Sequence, residues 1–273
     1  MRAISIMNRK GGVGKTTTAI NMAAILAEMG KSVLCIDADS QANLSYFFGV
    51  TDPDRLCEQT LAQLLDLDAP GRSDTAEDYV VQTPLSGVKL VPGSEELTNA
   101  NIASMMHGDR VSVKAIADLL ESLNEDAWVE AGLPEDKVDA FDFVLIDCPP
   151  SFTAASVAAI YASDDIIIPV ETDLFSVAGL GSLLRHIDSV RRIKPNIRVA
   201  GALITKWHNS PACVQGESAL RASGVPVFDQ VIRRSEKVTE SIFKSQSLQA
   251  YSPQSAAGRD YRAFVAEYLR EVR

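Results

Sequence analysis

The chain has few cysteines, no long apolar run and no excess of basic charge. Its four cysteines, Cys35, Cys57, Cys148 and Cys213, lie far apart with no C-x-x-C spacing. That pattern excludes a disulfide framework and a thiolate metal motif, and fits reduced, mostly buried thiols. No apolar stretch approaches the ~18 residues that a membrane span needs. The first apolar run ends within seven residues, so no secretory leader is predicted. Acidic residues outnumber basic ones by 36 to 26, for a net charge of −10. This excludes a surface coated with basic charge and leaves only local patches for nucleic acid. There is no internal repeat and no low-complexity tract. A cytoplasmic location is expected.

What is present begins at the N-terminus. Ala3 to Met7 reads as a short buried strand, followed by Asn8-Arg9-Lys10-Gly11-Gly12-Val13-Gly14-Lys15-Thr16-Thr17 and then a helical pattern to Met29. Strand, glycine-rich turn and helix are the context that a phosphate-binding loop requires. Glycines let backbone N–H groups converge on phosphate oxygens, and the helix start adds unpaired N–H groups. Lys15 is placed to reach the β- and γ-phosphates of a nucleotide, and the Thr16 hydroxyl to ligate Mg²⁺. The strict pattern G-x-x-x-x-G-K-[ST] would have glycine at position 9; this chain has Arg9, with Lys10 after it.

At 273 residues and 46% hydrophobic composition, the chain is long enough for one α/β domain, 1–273, with a sizeable core. Buried strands are predicted at 32–36, 88–91, 141–146, 165–170 and 199–205, with short strand-like pieces in 225–232. Helices are predicted at 95–106, 111–123, 153–162, 175–193, 213–222, 235–245 and 256–272. This alternation predicts a doubly wound, mostly parallel sheet with helices on both faces. Residues 66–84 and 124–139 are acidic and contain Pro or Gly, and read as surface insertions. The strand at 32–36 ends at Asp37-Ala38-Asp39, and the one at 141–146 ends at Asp147-Cys148-Pro149-Pro150. Carboxylates at the carboxyl ends of strands lie where open α/β sheets gather catalytic groups. Asp147 is the candidate Mg²⁺ ligand; Asp37 and Asp39 are candidates to orient the attacking water.

Taken together, Lys10-Gly-Gly-Val-Gly-Lys-Thr-Thr17, Asp37-Ala-Asp-Ser-Gln41, Phe143-Val-Leu-Ile-Asp-Cys-Pro-Pro-Ser151 and Ile168-Pro-Val-Glu171 resemble the ParA/MinD family of deviant Walker A ATPases. They stand in the family's order and spacing, and the chain resembles most the ParA/Soj-like partition ATPases without an N-terminal helix-turn-helix domain. Ser40 stands where the family often has proline.

The resemblance implies an ATP- and Mg²⁺-dependent switch. The loop Lys10, Gly11, Gly12, Val13, Gly14, Lys15, Thr16 and Thr17 would bind nucleotide, and Thr16, Asp37 and Asp147 would serve the metal. Lys10, Lys15 and Asp39 would be the catalytic groups. Two subunits would sandwich two ATP molecules, with Lys10 of each reaching the other's phosphates. It further implies nonspecific DNA binding in the ATP state, with Lys206, Arg233, Arg234, Lys237 and Lys244 as candidate contacts. A ParB-like adaptor would stimulate hydrolysis, and the nucleoid would be the location, with plasmid or chromosome partition as the outcome.

Other readings are positioning of a protein cargo and a MinD-like membrane-associated switch. A third is the nitrogenase iron-protein branch, which needs a cluster-bridging cysteine pair. The final helix bears Tyr, Phe, Val and Leu on one stripe, the pattern of a core helix rather than a membrane anchor.

Overall fold

A computed structural model describes residues 1–50, 59–106, 111–131 and 140–272; for 128, 130, 131 and 174–178 only the backbone is described. Cys57, residues 132–139 and the Phe175 side chain therefore lie outside the described part. Seven strands form one sheet: β1 (Arg2–Ile6), β2 (Val33–Asp37), β3 (Val81–Gln82), β4 (Val88–Val91), β5 (Phe143–Asp147), β6 (Asp165–Val170) and β7 (Arg198–Ile204). Their order is β3-β4-β2-β5-β1-β6-β7, and every pair is parallel except β3 with β4. The phosphate-loop strand β1 thus lies between β5 and β6.

The apolar strands are buried on both faces because successive side chains point to opposite layers. Leu34, Ile36, Val144, Ile146, Ile166 and Ile168 face one layer, with α3 (Leu61–Leu65), α5 (Ala115–Ala131), α6 (Ala154–Ala162) and α7 (Leu174–Arg191). Val33, Cys35, Phe143, Leu145 and Ile167 face the other. There they meet α1 (Lys15–Glu28) and α11 (Ala256–Glu271). The remaining helices are α2 (Asn43–Phe47), α4 (Leu97–Met106), α8 (Pro211–Arg221), α9 (Glu236–Phe243) and α10 (Leu248–Tyr251).

In α11, Tyr261, Phe264, Val265 and Tyr268 are buried against the sheet, so its apolar stripe is core and not a membrane face. Among the described residues no helix is long and apolar enough to cross a membrane. One expectation changes. Helix α5, predicted to end at 123, runs on to Ala131, so the start of the acidic stretch at 124 is its C-terminal part. Glu125 and Ala127 are good helix formers while Asn124 and Asp126 are poor ones, and such a mixed, charged helix end looks like a loop in sequence.

Candidate nucleotide site

The register of three central strands assembles the site. Ile6 pairs with Asp147, and Asp37 with Asp147, so the ends of β1, β2 and β5 lie side by side. From there residues 7–14 turn into α1. Asn8 shapes the turn: its Nδ2 donates to the Pro169 carbonyl at 2.7 Å, and its Oδ1 accepts from the Lys10 N–H at 3.0 Å. Gly12 and Gly14 have φ of 77° and 89°, left-handed conformations that a Cβ would strain. Gly14 caps α1 without a side chain, which leaves the first N–H groups of a 14-residue helix for a ligand. The Thr205 hydroxyl fixes the loop from β7, donating to the carbonyl of Val13 at 2.8 Å.

Two buried, opposite charges meet at this helix start. Lys15 is only 7% exposed, and its Nζ donates to the Lys10 carbonyl at 3.3 Å. Burial lowers its pKa, while Asp147, Asp39 and Cys148 pull the other way. Asp147 is 1% exposed, and neither carboxylate oxygen has a hydrogen-bond partner among the described residues. Burial raises its pKa well above the usual carboxylate range, with Asp37 adding to the rise; Thr16 and Lys15 favour its charged form. A buried carboxylate left open beside a hydroxyl and an ammonium fits a site for a phosphate-bound Mg²⁺.

Asp37 and Asp39 are differently placed. Asp37 is fully buried and its Oδ2 accepts from both the N–H and the hydroxyl of Ser45, each at 2.8 Å. Its Oδ1 accepts from the Asp39 N–H at 3.3 Å. Burial pushes its pKa up to about 6 against these bonds. Asp37 thereby holds the turn that presents Asp39, whose half-buried carboxylate accepts from the nearby Gln41 N–H at 3.1 Å. Ser45 had no signal in the sequence; it matters because its hydroxyl also accepts from the Gly93 N–H at 3.0 Å, linking the turn to the end of β4.

Lys10 does not fold into its own loop. Its Nζ is bonded to Asp173 and lies 3.6 Å from Glu171, both on the segment after β6. Asp173 raises its pKa first, and Glu171 adds to the rise, against burial. That segment is seated by α8. Gly216 approaches so closely that an added Cβ would lie 2.3 Å from the Thr172 carbonyl oxygen. The family motif ending at Glu171 was legible in sequence; the close approach of Gly216, 44 residues on from Thr172, was not.

The basic residues proposed for DNA are split. Lys206 pairs with Glu171 at 2.7 Å, Arg233 with the buried Asp260 at 2.6 Å, and Lys237 with Glu240 at 2.6 Å. Arg234 is exposed, and neither it nor Lys244 makes an ion pair among the described residues. Lys237 and Lys244 both lie 5.8 Å from the centre of the Tyr251 ring, so the seven-residue spacing does put them on one face. Trp207 and His208 shape the loop: Trp207 Nε1 donates to Glu217 at 2.8 Å, and His208 Nδ1 lies 3.3 Å from the Lys206 carbonyl. Cys148 is buried, with its Sγ 3.7 Å from the Ile146 carbonyl.

Beside the loop lies a cleft of about 440 Å³, walled by Gly14, Thr17, Lys206, Ile232, Arg233, Glu236, Thr239 and Tyr261 among others. It opens at the first turn of α1, beside Gly14 and Thr17.

A family model described as an AAA domain matches residues 1–199. The chain is 31% identical over 276 residues to the chromosome partitioning protein ParA of Caulobacter vibrioides, covering 100% of this chain and 96% of that protein. It is 30% identical over 275 residues to the chromosome-partitioning ATPase Soj of Thermus thermophilus, covering 100% and 97%. Cobyrinic acid a,c-diamide synthase from Mycobacterium smegmatis with bound ADP and magnesium has the same fold. It gives a TM-score of 0.78 at 27% identity, covering 100% of this chain and 95% of that one.

Proposed function

The chain belongs to the ParA/MinD family of ATPases, and from that premise we propose that it is a dimerising switch that binds DNA nonspecifically in its ATP state and drives plasmid or chromosome partition. Its nucleotide is ATP and its metal Mg²⁺. Bound ATP supplies the phosphoryl group and Mg²⁺ offsets the charge on its oxygens.

The chain's own residues do the rest. The N–H groups of residues 11–17 cradle the phosphates, and Lys15 sits among them as a buried cation. Thr16 and Asp147 hold the metal, with Asp37 beside them. Asp37, fixed by Ser45, orients the turn from which Asp39 positions the attacking water.

One observation carries the dimer: the Lys10 ammonium, beside the glycines, reaches away from its own cradle, onto Glu171 and Asp173. Released from them, it is free for the phosphates of a partner subunit, as a charge supplied in trans. Dimer and monomer then differ by contacts that exist only with ATP bound, which is what a nucleotide switch requires. On this reading an adaptor protein stimulates hydrolysis, and the dimer associates with the nucleoid. Arg234 and Lys244, the candidate cations without ion pairs, are the first DNA contacts; Lys237 joins them by leaving Glu240. A few such charges, doubled in a dimer, give salt-sensitive retention despite the net charge of −10.

The test is DNA retention at fixed salt with ATP, ADP or no nucleotide. Retention only with ATP, weakened by Arg234→Ala with Lys237→Ala while ATP-dependent dimers persist, is expected. Equal retention in all three states would overturn the switch.

A further inference from the structure

Arg233 has no part in the phosphate chemistry, and its ion pair leaves it poorly suited to bind DNA. The segment around it extends the sheet edge beyond β7. Trp207 N–H donates to the Ile232 carbonyl and Arg234 N–H to the Trp207 carbonyl, each at 2.9 Å. This pairing places Arg233 in the wall of the cleft that opens from Gly14 and Thr17.

Its geometry there is tightly fixed. Asp260, 4% exposed at the start of α11, accepts from the Arg233 N–H and Nε at 2.9 Å on Oδ2, and from a terminal guanidinium nitrogen at 2.6 Å on Oδ1. That same nitrogen also lies 3.5 Å from the Ala256 carbonyl. One edge of the guanidinium is committed, while the side chain as a whole remains 43% exposed. What it offers the cleft is therefore its flat face and the remaining terminal nitrogen. A guanidinium held flat along one edge is weakly hydrated and stacks on aromatic rings. The cleft volume lies within the ~300–1,000 Å³ of small-molecule sites, and Ile232, Val238 and Tyr261 contribute apolar wall.

We propose that Arg233 is a nucleobase-binding residue: clamped by Asp260, its guanidinium covers one face of the purine of the bound nucleotide. The assignment rests on the reading of the loop as an ATP site. It moves Arg233 from the DNA surface to the nucleotide, and it makes Asp260 a positioning residue for the base.

The experiment measures binding of ATP, ADP and inorganic tripolyphosphate, each with Mg²⁺, to the full chain and to Arg233→Ala and Arg233→Lys. The lysine variant keeps a cation for buried Asp260 but has no flat face, so it serves where the alanine variant does not fold. Thermal melting of each variant checks the fold. Expected is an increase in Kd of about tenfold for ATP and ADP alike, with tripolyphosphate affinity unchanged. DNA retention at saturating ATP should equal that of the unaltered chain. Unchanged ATP affinity in a folded variant would overturn the proposal, as would equal weakening of ATP and tripolyphosphate. Failure of the unaltered chain to bind ATP at all would instead remove the nucleotide site, and the proposal with it.

Discussion

Asp165 opens β6 and Asp147 closes β5, both buried with β1 between their strands, and they are treated in opposite ways. Asp165, at the start of β6, accepts from Arg2 Nε and Arg198 Nε at 2.6 Å each and from the Tyr268 hydroxyl at 2.7 Å. Burial pushes its pKa upward, but Arg198, Arg2 and Tyr268 overcome this and hold it below the usual carboxylate range. Asp147, at the finish of β5, has no hydrogen bond to either oxygen among the described residues, and its pKa is raised. Both are aspartates closing or opening an apolar strand, so strand position alone does not separate them. Completeness of partners does: the satisfied carboxylate is a clamp between β1, β6, β7 and α11, and the unsatisfied one is a place for something else to bind.

The largest expected effect breaks the satisfied end. Asp165→Asn leaves two arginines around a buried site with no counter-charge, and should cost about 3–5 kcal/mol of folding stability. Because the folded pKa of Asp165 is lowered, the stability it contributes is present above the ordinary carboxylate value. It is lost as pH falls through the folded value. The gap between the unaltered chain and Asp165→Asn in denaturant titrations should therefore narrow as pH falls below about 4. A gap that persists unchanged in acid would mean that Asp165 acts through packing and not through charge.

At the other end the expected losses concern binding. Saturation with ATP at a hundred times its Kd should stabilise the chain by about 2.7 kcal/mol. Lys15→Ala should abolish that gain in thermal melts while leaving the unliganded melt little changed. A retained ATP-dependent shift would sink the phosphate-loop assignment.

Asp147→Asn sharpens the contrast by its sign. Removing a buried carboxylate whose oxygens lack hydrogen-bond partners among the described residues should raise unliganded stability by about 1–2 kcal/mol and remove the Mg²⁺-dependent part of the ATP shift. A destabilised variant would place Asp147 with Asp165 as a structural residue.

Much of the site was legible because its signals are local. The glycines, Lys15 and Thr16 fall within six residues, and Asp37 and Asp147 each follow an apolar run directly, with Asp39 two residues beyond Asp37. The alternating strands and helices were legible for the same reason, since burial on both faces leaves near-continuous apolar runs. The clamp was not legible: Arg2 and Asp165 are 163 residues apart, and nothing in the sequence near either names the other. Arg233 shows the same limit. In sequence it is one of a run of basic residues, and only the fold brings Asp260 to it, 27 positions on. The end of α5 failed differently, since a charged helix turn and a solvated loop share a composition.

The smallest effect tests whether the open end is built for a partner subunit. Lys10 and Asp173 are each 38% exposed at the side chain, so their pair stands in water and contributes little to the fold. Exposed pairs of this kind contribute about 0.2–1 kcal/mol. Asp173→Asn should leave the melting curve almost unmoved, because Glu171 still lies 3.6 Å from Lys10. If Lys10 must leave this pair to reach a partner's phosphates, the variant lowers the cost of release by that same amount. Each dimer releases two such pairs, so the ATP-dependent dimer should then tighten by up to about thirtyfold in sedimentation at fixed ATP. The monomer without ATP should be unaffected. Lys10→Ala should act in the reverse direction, binding ATP without dimerising. A dimer that weakens in Asp173→Asn would place Asp173 in the interface itself, as a contact made by the dimer rather than a restraint on the free chain.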